Sequence, residues 1–206
     1  VYAAKVVVLG AGVSGMNAAA IALGMQAEVL LLDNNIEKLR QADRIYQGHL
    51  QTVASNAYEI EKACLDADLV IGAVLVVGAK APKLVSNDLV ARMKSGAVLV
   101  DIAIDQGGCF ESSRPTTHDA PTYRVYDTLF YCVANMPGAV PHTSTYALTN
   151  VTLPYALELA NRGWKKACRV DAALALGVNV HDGAVVSAPV AEAHGLPHLA
   201  LAEALT

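Results

Sequence analysis

The sequence Lys5–Asp33, KVVVLGAGVSGMNAAAIALGMQAEVLLLD, decides the fold of this chain. It begins with an apolar run, VVVL, which is β-branched at three of four positions, as expected for a strand buried on both faces. A glycine turn and an alanine-rich helix follow; the helix is predicted to end after Leu23, with Gly24 as the residue that closes it. A second strand is predicted over Glu28–Leu32, and Asp33 comes directly after it. The order strand, turn, helix, strand and acid predicts a βαβ unit.

The three glycines of the turn follow the spacing G-x-G-x-x-G. Gly10 allows the tight turn, Gly12 has no side chain to keep a diphosphate away from the backbone, and Gly15 lets the helix pack against the strand. The amides and the dipole at the start of the helix favour an anion. Asp33 lies 18 positions after Gly15 (33 − 15), near the separation at which an acid reaches an adenosine ribose, and it would repel a 2′-phosphate. The unit predicts a dinucleotide site that prefers NAD to NADP; the alternative is a glycine turn in another kind of α/β protein.

Composition limits the class of protein. The chain has 206 residues, of which 54% are hydrophobic and 17% charged, which is typical of a well-buried α/β core. A net charge of −4 argues against a nucleic-acid partner, and no apolar stretch is long enough to predict a membrane span. Four cysteines without a C-x-x-C pair predict reduced thiols in a cytoplasmic protein. Because Val1 directly precedes the first strand and is not methionine, we expect a fragment or a processed product.

Beyond the first unit, strands and helices continue to alternate. Further strands are predicted over 50–54, 68–74, 97–101, 125–127 and 129–133, and helices over 35–46, 58–65 and 87–93, the last with Ser86 as its N-cap. From Ser144 the pattern changes to a long amphipathic helix over 144–161 with Pro154 inside it, followed by helical segments over 164–176 and 190–205. The predicted fold class is α/β: a Rossmann-type, doubly wound, mostly parallel sheet over 1–143, followed by a helical C-terminal return segment over 144–206.

Several stretches besides the glycine turn carry a family resemblance. They are VLGAGVSGMNAA at 8–19, ADLVIGAVLVVGAKAPKLVS at 67–86, MKSGAVLVDIAIDQGGCFE at 93–111, SRPTTHD at 113–119, DTLFYCVANMPGAVPHTSTYALTN at 127–150 and GW at 163–164. Together they resemble the alanine dehydrogenase family, which also contains the nicotinamide nucleotide transhydrogenase α subunit. The resemblance covers essentially the whole chain, and DIAIDQGGCFE and YCVANMPGAVPHTS favour alanine dehydrogenase within it.

The resemblance implies reversible oxidative deamination of L-alanine to pyruvate and ammonia with NAD, in a homo-oligomer that is typically a hexamer. It also implies nucleotide contacts at the glycine turn, around the adenosine, at a strand end and around the nicotinamide. Val13 and Ser14, with Gly10, Gly12 and Gly15, lie at the glycine turn; Asp33, Lys38 and Ser55 lie around the adenosine; and Val74 and Leu75 line the strand end. The nicotinamide is framed by Ile102, Ala103, Ile104 and Asp105 and by Val133, Ala134, Asn135 and Met136. Arg114 is implied at the nucleotide site without a subsite. The family's N-terminal half-domain, which supplies an arginine, a lysine and a histidine for the substrate, has no counterpart in this sequence.

Asp105 is the candidate catalytic residue. As a carboxylate at a strand end facing the nicotinamide, it is expected to stabilise positive charge developing on the substrate or to orient water. The alternative is that it caps the glycine-containing loop through backbone amides. Asp101, four residues earlier, is expected to order the loop rather than to act directly.

Other reactive side chains give weaker indications of function. Cys109 has no evident base near it and is predicted to be a packed thiol rather than a nucleophile. His142 is an alternative base, but the family places its histidine elsewhere. His194 and His198 are separated by a glycine and a proline that break a helix, so no metal site is predicted.

Three functions therefore remain open. The first is the NAD-binding part of an alanine dehydrogenase. The second is a stand-alone NAD(H)-binding module without activity of its own, and the third is a transhydrogenase-like component that passes hydride between nucleotides.

Overall fold

The computed structural model describes residues 1–76 and 80–206. It divides into one compact unit formed by 1–76 with 80–136, and a second that contains 137–206. The predicted domain boundary after residue 143 stays a prediction.

The first unit is built on a seven-stranded sheet with the strand order β3-β2-β1-β4-β5-β7-β6. The strands are β1 Lys5–Leu9, β2 Glu28–Asp33, β3 Gln51–Ala54, β4 Leu69–Gly72, β5 Val98–Asp101, β6 Thr122–Val125 and β7 Thr128–Tyr131. All neighbouring pairs are parallel except β6 with β7, which is antiparallel. The chain winds outward from β1 to β3 and then returns to place β4 on the other side of β1. The Rossmann-type, mostly parallel sheet is thus confirmed, and its order reverses between β1 and β4, where such sheets bind ligands.

Apolar side chains cover both faces of this sheet. Val7 and Leu9 belong to one buried cluster, while Val6 and Val8 belong to the cluster on the opposite face. All four are at most 4% exposed. Burial of a side chain of this size stabilises the fold by roughly 1.5–3 kcal/mol, so a strand that is buried on both faces anchors the unit.

Four helices of this unit connect the strands. They are α1 Val13–Gly24, α2 Ile36–Tyr46, α3 Ala57–Asp66 and α4 Asn87–Val90. Asn35 caps α2, Asn56 caps α3, and Ser86 caps α4 as predicted, each by accepting a hydrogen bond from an amide of the first turn. At α1 no side chain caps the first turn.

The end of α1 differs from its prediction. Gly24 lies within the helix, and the left-handed residue is Gln26, with φ 65°. The amide of Ala27 donates to the carbonyl of Ala22 and that of Gln26 to Leu23, which is the Schellman arrangement. The helix therefore ends one residue later than its glycine suggests, because these two bonds define the end and do not require glycine.

The predicted strands over 125–127 and 129–133 are displaced in the structure. Residues 122–125 and 128–131 pair as an antiparallel hairpin, and Tyr126 in the connection has φ 50°. Asp127 therefore lies in a turn rather than in a strand. The strands over 68–74 and 97–101 were also predicted too long, since β4 ends at Gly72 and β5 begins at Val98.

The second unit is mainly helical. Its elements are α5 Pro141–Arg162, α6 Trp164–Val170, α7 Ala172–Leu176, β8 Val180–His181, β9 Ala184–Val185, α8 Ala188–His194 and α9 Leu201–Ala204. The predicted long helix is confirmed, but in the described part of the chain none of its residues is buried, including Leu148, Val151 and Tyr155. The predicted helix over 164–176 is two helices, because the side chain of Asp171 caps the amides of α7 and begins a new helix.

Candidate dinucleotide site

The glycine turn has the geometry that a diphosphate requires. Gly10 has φ 105°, and a Cβ there would stand 2.7 Å from the carbonyl oxygen of Ala73. A Cβ on Gly15 would overlap the carbonyl oxygen of Gly10, so the helix can approach this closely only without a side chain. At Gly12 nothing lies within 4 Å of the added Cβ position. The turn is thus closed on its protein side and open where a ligand would approach.

The first turn of α1 has no side-chain cap, so its amides can bind an anion. Its N-cap residue is Gly12, which offers no side-chain acceptor, and its first turn contains no acid. The next two residues, Val13 and Ser14, are exposed, Val13 at 84%. The other three helices of this unit satisfy their first amides with side-chain oxygens, so α1 is the exception that a phosphate group fits.

Asp33 connects the glycine turn to the end of β2. The amide of Ala11 donates to Oδ2 of Asp33 at 2.6 Å, and the amide of Asn35 donates to Oδ1 at 2.8 Å. Lys38 Nζ lies 3.8 Å from the same Oδ2. The amide of Ser55 donates to the backbone carbonyl of Asp33 at 2.9 Å. The structure therefore brings the three residues expected around the adenosine to one strand end.

The end of β4 lies beside the glycine turn. The amide of Ala73 donates to the carbonyl of Leu9 at 2.8 Å, and Gly10 packs against Ala73. Val74 is half-buried and Leu75 is 68% exposed. An apolar wall thus continues the site from the turn along the carboxyl edge of the sheet, where both residues were expected.

At the end of β5, Asp101 organises the following loop. Its side chain is fully buried and accepts the amides of Ala103 at 3.1 Å and Cys109 at 2.8 Å. It also accepts the amide of Phe110 at 3.3 Å and the hydroxyl of Ser113. The expectation that Asp101 orders the loop is confirmed.

Asp105 lies within this loop, in a single 3₁₀ turn over Ile104–Gln106. Ile104 and Ala103 are buried, Ile102 is half-buried, and Asp105 is exposed. Among the described residues, the loop amides held by a carboxylate are bonded to Asp101 and not to Asp105. The alternative role of Asp105 as the cap of the loop therefore has no support, and its exposed position leaves it available to a ligand.

The segment 133–136 follows β7 at the same edge of the sheet. Val133 is buried and forms a bridge with Thr116, while Ala134 and Asn135 are exposed and Met136 is half-buried. His118 Nε2 lies 2.7 Å from the carbonyl oxygen of Asn135 and must donate to it, since a carbonyl only accepts. The sequence indicates no role for His118, and its only signal there is its position in the SRPTTHD stretch.

Arg114 is not brought to the glycine turn. Its guanidinium stacks over the ring of Tyr123, 4.1 Å from the ring centre. Tyr123 lies on β6, four strands from β1 in the sheet, or roughly 19 Å at the usual strand spacing. A contact between Arg114 and the nucleotide therefore stays a prediction and would have to involve a part of it far from the diphosphate.

The thiols are not suited to nucleophilic chemistry. All four cysteines are free and buried. Burial raises the pKa of Cys64 to about 12, and burial together with the neighbouring Asp101 carboxylate raises the pKa of Cys109. Both stay protonated at neutral pH, which confirms the expectation of a packed thiol at position 109.

Residues 1–76 and 80–206 contain neither a metal-ligand cluster nor a candidate membrane span. No group of three histidine, cysteine, aspartate or glutamate side chains is arranged to hold a metal ion. No helix in this part of the chain combines the length and the apolar character of a membrane span. His142 is exposed in the first turn of α5, where its ring packs on Tyr146.

Sequence reasoning also missed Lys83. Its ammonium group donates to three backbone carbonyls of the loop that Asp101 orders, those of Gly107, Gly108 and Phe110, at 2.6–2.9 Å. Only the motif ADLVIGAVLVVGAKAPKLVS contained it, without indicating a role.

The strand order of this mostly parallel sheet reverses beside an open glycine turn, and an acid lies at the end of the next strand. These features define a Rossmann-type dinucleotide-binding unit. The family profile "Alanine dehydrogenase/PNT, C-terminal domain" matches residues 1–188. The chain belongs to this family, and its fold and relatives identify it as the NAD-binding part.

Individual relatives agree with this assignment. An alanine dehydrogenase of Mycobacterium tuberculosis is 66% identical over 94% of this chain and 52% of its own length. One of Mycolicibacterium smegmatis is 62% identical over the same shares. A solved L-alanine dehydrogenase has a TM-score of 0.82 at 48% identity, covering 93% of this chain and 53% of its own. A transhydrogenase from Sinorhizobium meliloti has a TM-score of 0.70 at 27% identity, covering 91% and 51%. The chain spans about half the length of the curated relatives it matches.

Proposed function

We propose that this chain is the NAD-binding part of an L-alanine dehydrogenase, which converts L-alanine reversibly to pyruvate and ammonia. The observation that carries the proposal is the open, uncapped glycine turn with Asp33 beside it. It occurs in a chain that is 66% identical to a protein named alanine dehydrogenase.

The residues present fit NAD. The diphosphate would lie on the amides of Val13, Ser14 and Gly15, where the position of a Gly12 Cβ is open. A carboxylate offers about four lone pairs, and Asp33 uses two of them on Ala11 and Asn35, which leaves acceptors for ribose hydroxyls. Lys38 and Ser55 would flank the adenosine.

The nicotinamide end is assigned to the loops after β5 and β7. Val74 and Leu75 are expected to line the end of β4, and the predicted nicotinamide contacts are Ile102 to Asp105 and Val133 to Met136. When bound there, NAD supplies the hydride acceptor. In this proposal the exposed Asp105 carboxylate stabilises positive charge that develops on the substrate carbon and nitrogen, or orients the water that attacks.

A second candidate is a transhydrogenase-like component, which the TM-score of 0.70 to a solved transhydrogenase favours. The identity of 27% to that protein is well below the 66% to an alanine dehydrogenase, so we prefer the first candidate. A NAD(H)-binding module without activity of its own is the remaining alternative for the chain by itself.

We further propose a cytoplasmic homo-oligomer, with the hexamer that the resemblance implies. Four free, buried thiols suit a reducing compartment. Within the second unit, the exposed apolar side chains of α5, such as Leu148, Val151 and Leu153, offer surface for association.

The proposal is tested by two measurements on the purified chain. NADH binding is measured by calorimetry, and NADH formation is followed by absorbance with L-alanine and NAD. Binding with turnover supports alanine dehydrogenase, and binding without turnover assigns the module to this chain alone. Absence of NADH binding contradicts the proposal as a whole.

A further inference from the structure

We propose that Lys83 is a positioning residue, which holds the loop with Asp105 in the geometry that receives the nicotinamide. The inference rests on the proposed function and adds a residue to which neither the sequence nor the family resemblance assigns a role. Its basis is the set of contacts that Lys83 makes with residues 107–110.

The ammonium of Lys83 is surrounded by carbonyl oxygens. Nζ donates to Gly107 at 2.6 Å, to Gly108 at 2.9 Å and to Phe110 at 2.9 Å. An ammonium has three hydrogens, so all of its donors are used on this one loop. An exposed lysine side chain is normally solvated and mobile, and this arrangement is therefore specific to the loop.

The same loop is held from the opposite direction by Asp101. Its carboxylate accepts the amides of Cys109 and Phe110, while Lys83 takes the carbonyl of Phe110. The Asp101 carboxylate thus binds N–H groups of the loop, and the Lys83 ammonium binds its C=O groups. Charge-assisted hydrogen bonds of this kind are stronger than neutral ones, so the loop has one favoured conformation.

Backbone bonds extend this connection to the turn that carries Asp105. The amide of Ala81 donates to the carbonyl of Gln106 at 2.9 Å, and the amide of Leu84 donates to the carbonyl of Cys109 at 2.7 Å. Residues 81–84 therefore run beside 106–109, and Lys83 lies in the middle of this segment. Asp105 is two residues before Gly107, the first residue that Lys83 binds.

Backbone hydrogen bonds shape the turn, from the amides of Gln106 and Gly108 to the carbonyl of Ala103 and from that of Gly107 to Ile104. None of these bonds involves the side chain of Asp105. It is exposed, Gly107 is exposed, and within the 3₁₀ turn only Ile104 is buried. Gly107 and Gly108 both have positive φ, at 90° and 74°, so the backbone there is intrinsically free to take other conformations. Without the ammonium, these three carbonyls would lose a charged donor, and the loop would sample more conformations while the core stays folded.

The test compares a ligand that contains the nicotinamide with one that lacks it. ADP-ribose occupies the diphosphate and ribose positions without a nicotinamide, whereas NADH occupies both ends. The affinities of the full chain for both are measured by calorimetry in the parent, Lys83→Met, Lys83→Arg and a control, Lys62→Met. Lys62 is an exposed lysine on α3, outside the site. The emission of the bound reduced nicotinamide is recorded at saturation, and the thermal midpoint is recorded for each variant.

For Lys83→Met we expect the Kd for NADH to rise about fivefold, as it does when the competent conformation falls to about a fifth of the population. The Kd for ADP-ribose stays within twofold, the emission of bound NADH falls, and Lys83→Arg recovers part of both losses. Lys62→Met behaves as the parent.

Two results would overturn the inference. In one, Lys83→Met leaves both the NADH affinity and the emission unchanged. In the other, it weakens both ligands equally together with the thermal midpoint, which is a general structural effect. If the parent itself binds ADP-ribose and NADH, these results refute only the role of Lys83; if it binds neither, the proposed function fails and this inference with it.

Discussion

Asp33 and Asp101 occupy equivalent places in the sheet, each as the last residue of a parallel strand and each bonded to a glycine-containing loop. They differ in how their oxygens are used. Asp101 is fully buried and accepts three amides and a hydroxyl, so its acceptors are saturated by the protein. Asp33 is 8% exposed and accepts two amides, one of them from Ala11 in the open glycine turn, and Lys38 Nζ lies 3.8 Å from its Oδ2. A carboxylate that retains acceptor capacity beside an open turn can bind a ligand, whereas a saturated one stabilises the fold.

The largest effect is expected for Asp101, the carboxylate of this pair that stabilises the fold. Asp101→Asn keeps the shape of the side chain but replaces one acceptor oxygen with a donor that faces backbone amides. Buried donors left without an acceptor cost about 1–3 kcal/mol each, so we expect the free energy of unfolding to fall by about 3 kcal/mol. Urea unfolding measures it, and a loss below about 1 kcal/mol would show that Asp101 is not the organiser of the loop.

The next largest effect is expected for Asp33, the carboxylate proposed to bind the ligand. Asp33→Ala should weaken NADH binding by about 1.5–3 kcal/mol, the loss typical of hydrogen bonds to a charged group. Asp43→Ala removes an exposed acid of α2 and serves as the matched control. Calorimetry with NADH measures both variants, and parental affinity in Asp33→Ala would refute the ribose assignment.

A third variant separates ligand space from packing space within the turn. Gly12→Ala adds a methyl group where nothing lies within 4 Å, so the thermal midpoint should stay nearly constant. The methyl would enter the volume assigned to the diphosphate, and NADH affinity should fall about tenfold, or about 1.4 kcal/mol. Gly15→Ala is the contrasting variant, because its methyl meets the carbonyl oxygen of Gly10 and should destabilise the fold. Unchanged NADH binding in Gly12→Ala would place the diphosphate elsewhere.

The smallest effect lies outside both loops. Gln26 has a left-handed backbone at the end of α1, and glycine adopts that conformation without a steric penalty. Gln26→Gly should therefore raise the free energy of unfolding by about 0.5–1 kcal/mol. NADH affinity should not change, since α1 begins at the site and ends far from it. A destabilised variant would show that the Gln26 side chain contributes more than its backbone strain costs.

Local patterns predicted the features that neighbouring residues determine. The roles of Gly10, Gly12 and Gly15, the cap at Ser86 and the buried first strand all follow from short-range sterics and hydrogen bonding. Partners far apart in the sequence were not predictable in this way. Lys83 reaches carbonyls 24 to 27 positions later, and His118 reaches Asn135 17 positions later.

One further error has the same physical origin. The hairpin of β6 and β7 was misplaced because both of its strands contain the β-branched and aromatic residues from which a strand is predicted, so only their pairing places the turn. The long helix α5 was predicted correctly from its apolar spacing, but helical spacing does not specify what would cover those apolar residues.

The most direct test of the central claim is a crystal structure of the chain grown with saturating NADH. We predict the diphosphate within hydrogen-bonding distance of the amides of Val13, Ser14 or Gly15, and the adenosine ribose hydroxyls on the carboxylate of Asp33. A nucleotide bound elsewhere, or a turn left empty at a NADH concentration that saturates binding in solution, would contradict the account.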